Sequence, residues 1–93
     1  MEDMIDISKK AQKDLRTIPK HIVKNFQRWA LLVEDIGIVE VRKIKGYHCE
    51  PLSGNRAGQR SVRLSKSYRL FYTEEPDGEI NVIAILEINK HEY

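Results

Sequence analysis

The stretch at residues 79–88, Glu-Ile-Asn-Val-Ile-Ala-Ile-Leu-Glu-Ile, constrains the fold more than any other part of the chain. Read as a strand, it places Ile80, Val82, Ala84 and Leu86 on one face and Ile83 and Ile85 on the other. A strand that is apolar on both faces belongs inside a sheet. Its partners precede it in the sequence. Residues 68–73 form an aromatic-rich strand candidate, and Pro76-Asp77-Gly78 predicts the turn between the two. Residues 59–65 alternate, with Val62 and Leu64 on one side and Ser61, Arg63 and Ser65 on the other.

The first half reads as helical. After a short strand candidate at residues 4–7, Ser8 is placed to cap a helix carrying Ala11, Leu15 and Ile18 on one face. Pro19 ends that helix and starts the next. Between Lys20 and Ile36 the apolar positions Ile22, Phe26, Trp29, Val33 and Ile36 recur at helical spacing, and Gly37 is the expected stop. Residues 38–45 suit either a short helix or an extended segment. Residues 46–58, with Gly46, Pro51, Gly54, Asn55 and Gly58, read as loop. The expected architecture is α+β: an N-terminal strand and a helical hairpin packed on a small, mainly antiparallel sheet.

Composition narrows the class. Ninety-three residues suffice for one core, so a single domain spanning 1–93 is expected. No apolar run approaches the roughly 20 residues that cross a bilayer, and no basic start with an apolar stretch opens the chain. The one cysteine, Cys49, has no internal disulfide partner, which fits a cytoplasmic location. The net charge of +2 hides a segregated distribution. Residues 51–73 hold Arg56, Arg60, Arg63, Lys66 and Arg69 and no acid, whereas residues 74–93 hold six acids and one base, Lys90. Such a patch on a nearly neutral protein suits a polyanion met at a defined surface; a pair of solvated faces is the plain alternative.

Three segments are more specific. Residues 46–64, Gly-Tyr-His-Cys-Glu-Pro-Leu-Ser-Gly-Asn-Arg-Ala-Gly-Gln-Arg-Ser-Val-Arg-Leu, resemble the stretch that marks host-inhibition toxins of the RelE/HigB superfamily. Ser67-Tyr68-Arg69-Leu70-Phe71-Tyr72 looks like its Tyr-Arg strand, and Glu87-Ile88-Asn89-Lys90-His91-Glu92-Tyr93 resembles its His-acid-Tyr ending. Their order, with the helical hairpin before them, extends the resemblance over essentially the whole chain. It implies a toxin that enters the decoding site of the small ribosomal subunit and cuts mRNA there without metal or cofactor, by attack of the ribose 2′-OH on the adjacent phosphate. It also implies a cognate antitoxin, in this branch a helix-turn-helix protein of the HigA kind. Two other readings share the fold: a ParE-like inhibitor of DNA gyrase, and an inactive relic that serves only as an antitoxin-binding co-repressor.

Cleavage through the 2′-OH needs a proton acceptor, a proton donor for the leaving 5′ oxygen, and cations for the phosphate. Imidazole serves proton transfer near neutral pH, and the arginine fork matches two phosphate oxygens. The candidate catalytic residues are therefore His48, Arg63, Arg69, His91 and Tyr93, with Arg56, Arg60, Lys66, Lys90 and Glu92 expected to contact RNA or ribosome. Tyr93 is also suited to stacking on an unpaired base. His48, Cys49 and His91 do not have the spacing of a metal site, and the glycines at 54 and 58 lack the Lys-Ser/Thr that follows a phosphate-binding loop. Nothing beyond its presence marks Cys49 as a nucleophile. Relatives often carry an acid at the place of Cys49, a lysine at that of Ser53 and an aspartate at that of Glu92, so this loop has one cation fewer than the pattern.

Overall fold

A computed structural model describes residues 2–90. The chain runs β1 (Glu2–Ile7), α1 (Lys9–Thr17), α2 (Lys20–Ile36), α3 (Ile38–Arg42), β2 (Glu50–Pro51), β3 (Arg60–Arg63), β4 (Tyr68–Asp77) and β5 (Ile80–Lys90), with 3-10 turns at Lys45–Tyr47 and Gly54–Arg56. Among the described residues the sheet order is β1-β5-β4-β3-β2. β1 pairs parallel with β5, and the other pairings are antiparallel. The expected α+β architecture holds, with β5 inside the sheet between β1 and β4, as its two apolar faces led one to expect. No helix among the described residues is long and apolar enough to cross a membrane.

Local chemistry sets the helix ends. The Ser8 hydroxyl accepts the Ala11 N–H at 3.0 Å and donates to the Leu86 carbonyl at 2.9 Å, so one side chain caps α1 and ties it to β5. Asp14 Oδ2 adds a second tie by accepting the Ile88 N–H at 2.9 Å. α2 stops at Gly37, whose φ of +86° favours a residue without Cβ. A Cβ there would also lie 3.3 Å from Asp3 Oδ2, the atom that accepts the Ile38 N–H at the start of α3. Residues 38–42 thus resolve the open reading of that segment as a short helix.

The helices cover one sheet face. Ile22, Phe26, Trp29 and Val33 of α2 meet Val62, Leu70, Tyr72, Ile83, Ile85 and Ile88 in one buried cluster, with the Trp29 and Tyr72 rings 5.6 Å apart. Ile83, Ile85 and Ile88 share this core face although simple alternation would turn Ile88 outward. A bulge explains it: Phe71 pairs with Glu87, and the next residue, Tyr72, pairs with Ile85. Leu86 is the extra residue that shifts the phase.

Two sequence expectations are corrected. The β4–β5 turn is not Pro76-Asp77-Gly78. Pro76 and Asp77 remain in β4, opposite Asn81 and Ile80, and Gly78-Glu79 makes a two-residue loop with Gly78 at φ +66°. The loop at 46–58 is not wholly irregular either, since Glu50 and Pro51 pair with Ser61 and Arg60 as a fifth strand.

Candidate functional site

The sheet face away from the helices holds the site. Strand register puts Glu50 beside Ser61 and Arg63 beside Arg69, which in turn pairs with Asn89. Arg63 is therefore on the face opposite buried Val62 and Leu64, as the alternation predicted. Asn25 Nδ2 donates to the Leu64 carbonyl at 2.9 Å, and Ser65 Oγ accepts the Ser67 and Tyr68 N–H groups at 3.1 and 3.2 Å. These bonds fix the turn that carries Lys66.

His48 reaches this face through an unusual backbone. It ends the 3-10 turn at φ 43°, ψ 46°, the only non-glycine residue with positive φ among the described residues. A left-handed non-glycine residue costs on the order of 1–3 kcal/mol, and such strain gathers at functional sites. The result is an open cleft of about 190 Å³ lined by His48, Glu50, Ser61, Arg63, Ser65, Lys66 and Arg69. It falls below the roughly 300–1,000 Å³ of small-molecule pockets, so it suits a phosphate group of a longer ligand better than a whole metabolite.

Three cations, one imidazole and one carboxylate line the cleft. Arg69 lies along the floor, with Nη2 3.5 Å from Glu50 Oε1 and 3.5 Å from Ser61 Oγ and its guanidinium 6.0 Å from the Phe71 ring centre. Arg63 makes no hydrogen bond or ion pair among the described residues and is exposed. The pair divides the work: Arg69 is pre-oriented, and Arg63 is available to a ligand. Arg63 and Arg69 stand side by side across β3 and β4, with Glu50 the one carboxylate in the cleft, and two neighbouring guanidiniums can hold the oxygens of one phosphate.

Of the residues singled out from sequence, His48, Arg63, Lys66 and Arg69 converge here. Arg56 does not line the cleft. It stands 4.0 Å over the Phe71 ring, ion-pairs with Glu87 and donates to Gln59 Oε1 at 2.8 Å, which secures its loop to the open face. Arg60 is on the helix side, opposite Tyr72 in the register, with Nε donating to Cys49 Sγ at 3.5 Å. Lys90 pairs with Tyr68 and lies outside the cleft lining. His91, Glu92 and Tyr93 lie outside the described residues.

Glu50 is the ionisable cleft residue that sequence reasoning missed; Ser61 and Ser65, which also line the cleft, were placed on Arg63's face but not among the candidates. The signal of Glu50 was present two positions after His48, but strand parity is unreadable in a stretch taken for loop. Cys49 faces the helix side, where its Sγ is 3.4 Å from the Tyr72 hydroxyl, which in turn donates to Glu74 Oε2 at 3.3 Å. Arg42 closes this chain with a 3.5 Å contact to Glu74. Burial, with the Cys49 hydrogen bond next, pushes the Tyr72 phenol well above its ordinary value.

Known structures share this arrangement of elements. The YoeB-YefM complex from Staphylococcus aureus contains a chain 26% identical to this one, with a TM-score of 0.69 and full coverage of both chains. The archaeal RelE-RelB complex from Pyrococcus horikoshii matches at 24% identity and TM-score 0.71 over 97% of this chain and 96% of that one. YafQ from Escherichia coli matches at 14% identity and TM-score 0.71 over 97% and 94%. No curated protein sequence matches the chain. The family model for the ParE toxin of the type II toxin-antitoxin system parDE matches residues 5–92. With a family match over nearly its whole length and the toxin fold beneath it, this chain belongs to the ParE toxin family of type II toxin-antitoxin systems, within the RelE/ParE superfamily.

Proposed function

We propose that the chain is a metal-independent endoribonuclease of the RelE/HigB kind, which cuts mRNA in the decoding site of the small ribosomal subunit and is neutralised by a cognate antitoxin. The observation that carries this reading is the open-face cleft, where His48 and Glu50 accompany Arg63, Lys66 and Arg69. The parts match the demands of 2′-OH attack. Arg63 and Arg69 hold the non-bridging oxygens of the scissile phosphate and stabilise charge as the pentacoordinate phosphorus forms. Proton transfer from the 2′-OH and to the 5′ oxygen falls to His48, Glu50 and the terminal His91, with Lys66 assisting from the turn. Tyr93 stacks on an unpaired base, while Lys90 and Glu92 belong to the same terminal segment.

The antitoxin reading is supported by relatives solved as YoeB-YefM and RelE-RelB complexes. A helix-turn-helix partner of the HigA kind follows from the resemblance of residues 46–64 to the HigB branch. In this reading the chain works in the cytoplasm as a single domain and needs no membrane or bound cofactor.

The chemistry has a signature. Purified chain added to ribosomes programmed with a defined message will leave 3′ fragments with a 5′-hydroxyl and 5′ fragments ending in a 2′,3′-cyclic phosphate. Products with a 5′-phosphate would refute attack by the 2′-OH. A second reading, a ParE-like poison of DNA gyrase, is favoured by the family matched over residues 5–92. It predicts intact message and inhibited supercoiling in a purified gyrase assay.

A further inference from the structure

We infer that a groove beside the cleft is a base-binding subsite, which takes one unpaired nucleobase from the RNA strand whose phosphate rests on Arg63. The inference depends on the ribonuclease reading above and adds a specificity element to it. The groove measures about 300 Å³ and runs between α2 and the 3-10 turn that leads to His48. Leu32, Ile44 and Tyr47 give it apolar and aromatic walls over buried Leu64, and Asn25 and Arg28 supply its polar groups.

Three observations favour a nucleobase. First, Arg63 lines both the groove and the phosphate-sized cleft, so one strand can occupy the two together. Second, no acid lines the groove, which admits a polyanion without repulsion. Third, its volume lies at the bottom of the roughly 300–1,000 Å³ range of small-ligand sites. That suits one nucleoside better than a helix of about 10–12 Å diameter from a protein partner.

The polar groups are suited to reading a base edge. Asn25 is held by its bond to the Leu64 carbonyl, which leaves the amide oxygen as its remaining acceptor. Arg28 is exposed on α2 and close enough to Tyr47 to oppose the rise that burial imposes on the phenol. An aromatic wall holds any base, whereas a guanidinium discriminates by its donors. Arginine pairs best with an edge offering two adjacent acceptors, as guanine does with O6 and N7. The groove should therefore favour guanine at one position next to the scissile bond.

The test is sequencing of RNA 5′ ends after brief induction of the wild type, Arg28→Gln and Tyr47→Leu. Each variant is also checked for its melting temperature and for neutralisation by co-expressed antitoxin. The wild type should show a guanine skew at a single position near the cut. Arg28→Gln, at an exposed helix position that leaves the core intact, should reduce that skew roughly tenfold while cuts continue at lower yield. Tyr47→Leu should lower yield at every site. Wild-type cuts without a skew, or a skew unchanged in folded Arg28→Gln, would overturn the subsite and leave the nuclease reading standing. Lost neutralisation with an unchanged skew would overturn it in favour of a protein-docking groove. No cuts from the wild type would instead remove the nuclease reading on which the subsite depends.

Discussion

Arg63→Ala should separate activity from stability. Arg63 is exposed and makes no hydrogen bond or ion pair among the described residues, so its removal leaves no buried group unsatisfied. It also stands directly opposite Arg69 in the β3–β4 register, and like charges in that relation destabilise a sheet. The folding free energy should therefore stay within about 0.5 kcal/mol of wild type, and any change should be towards greater stability. For a domain of this size that means a melting-temperature change of under about 4 °C. Loss of a donor to the transition-state phosphate typically costs about 2.7–4 kcal/mol, or 10²–10³ in rate. The assay pairs thermal melting of the purified chain with single-turnover cleavage on programmed ribosomes. A melting temperature lowered by many degrees would show that Arg63 is structural. Undiminished cleavage by a folded variant would refute its role as the phosphate clamp.

Three further outcomes follow from other elements. Asp14→Ala removes the carboxylate that accepts the Ile88 N–H and pairs with Lys10, and should destabilise the chain by about 1–3 kcal/mol in denaturant titration. No loss would mean that this tie does not secure the end of β5. The Tyr72 phenol, raised above its ordinary 10.0 by burial, links folding to alkaline pH: the folded state holds the proton after the unfolded state has lost it. Stability should thus be intact below about pH 10 and fall as pH rises above it, more shallowly in Tyr72→Phe; equal slopes would refute the linkage. His91→Ala should abolish growth arrest while leaving folding and antitoxin binding intact, and full arrest from the folded variant would remove His91 from the catalytic set.

Elements that depend on short-range pattern were legible in the sequence. The Ile22, Phe26, Trp29 and Val33 stripe, the Ser8 cap and the Gly37 stop each needed only local periodicity or a single residue's backbone preference. The interior position of β5 was legible because both of its faces are apolar. Its phase was not, because the extra residue Leu86 becomes visible only once β4 fixes the register. The same limit divided the candidate site. Arg63 followed from alternation within β3. The placement of Arg60 on the helix side, the capture of Arg56 by Phe71 and Glu87, and the entry of Glu50 into the cleft all depend on pairings across the sheet or on the course of a loop. A cluster of basic residues in sequence thus became one group lining the cleft, with Arg56 held beside it on the open face by Phe71 and Glu87 and Arg60 on the helix side.

The central claim is that the open-face cleft cuts mRNA on the ribosome. Its most direct test is primer extension on one cellular transcript after brief induction of the free chain, with the start codon intact and with it destroyed. Cuts confined to the reading frame that vanish when translation is blocked are the predicted result. Growth arrest with an uncut transcript would contradict the claim and turn attention to gyrase.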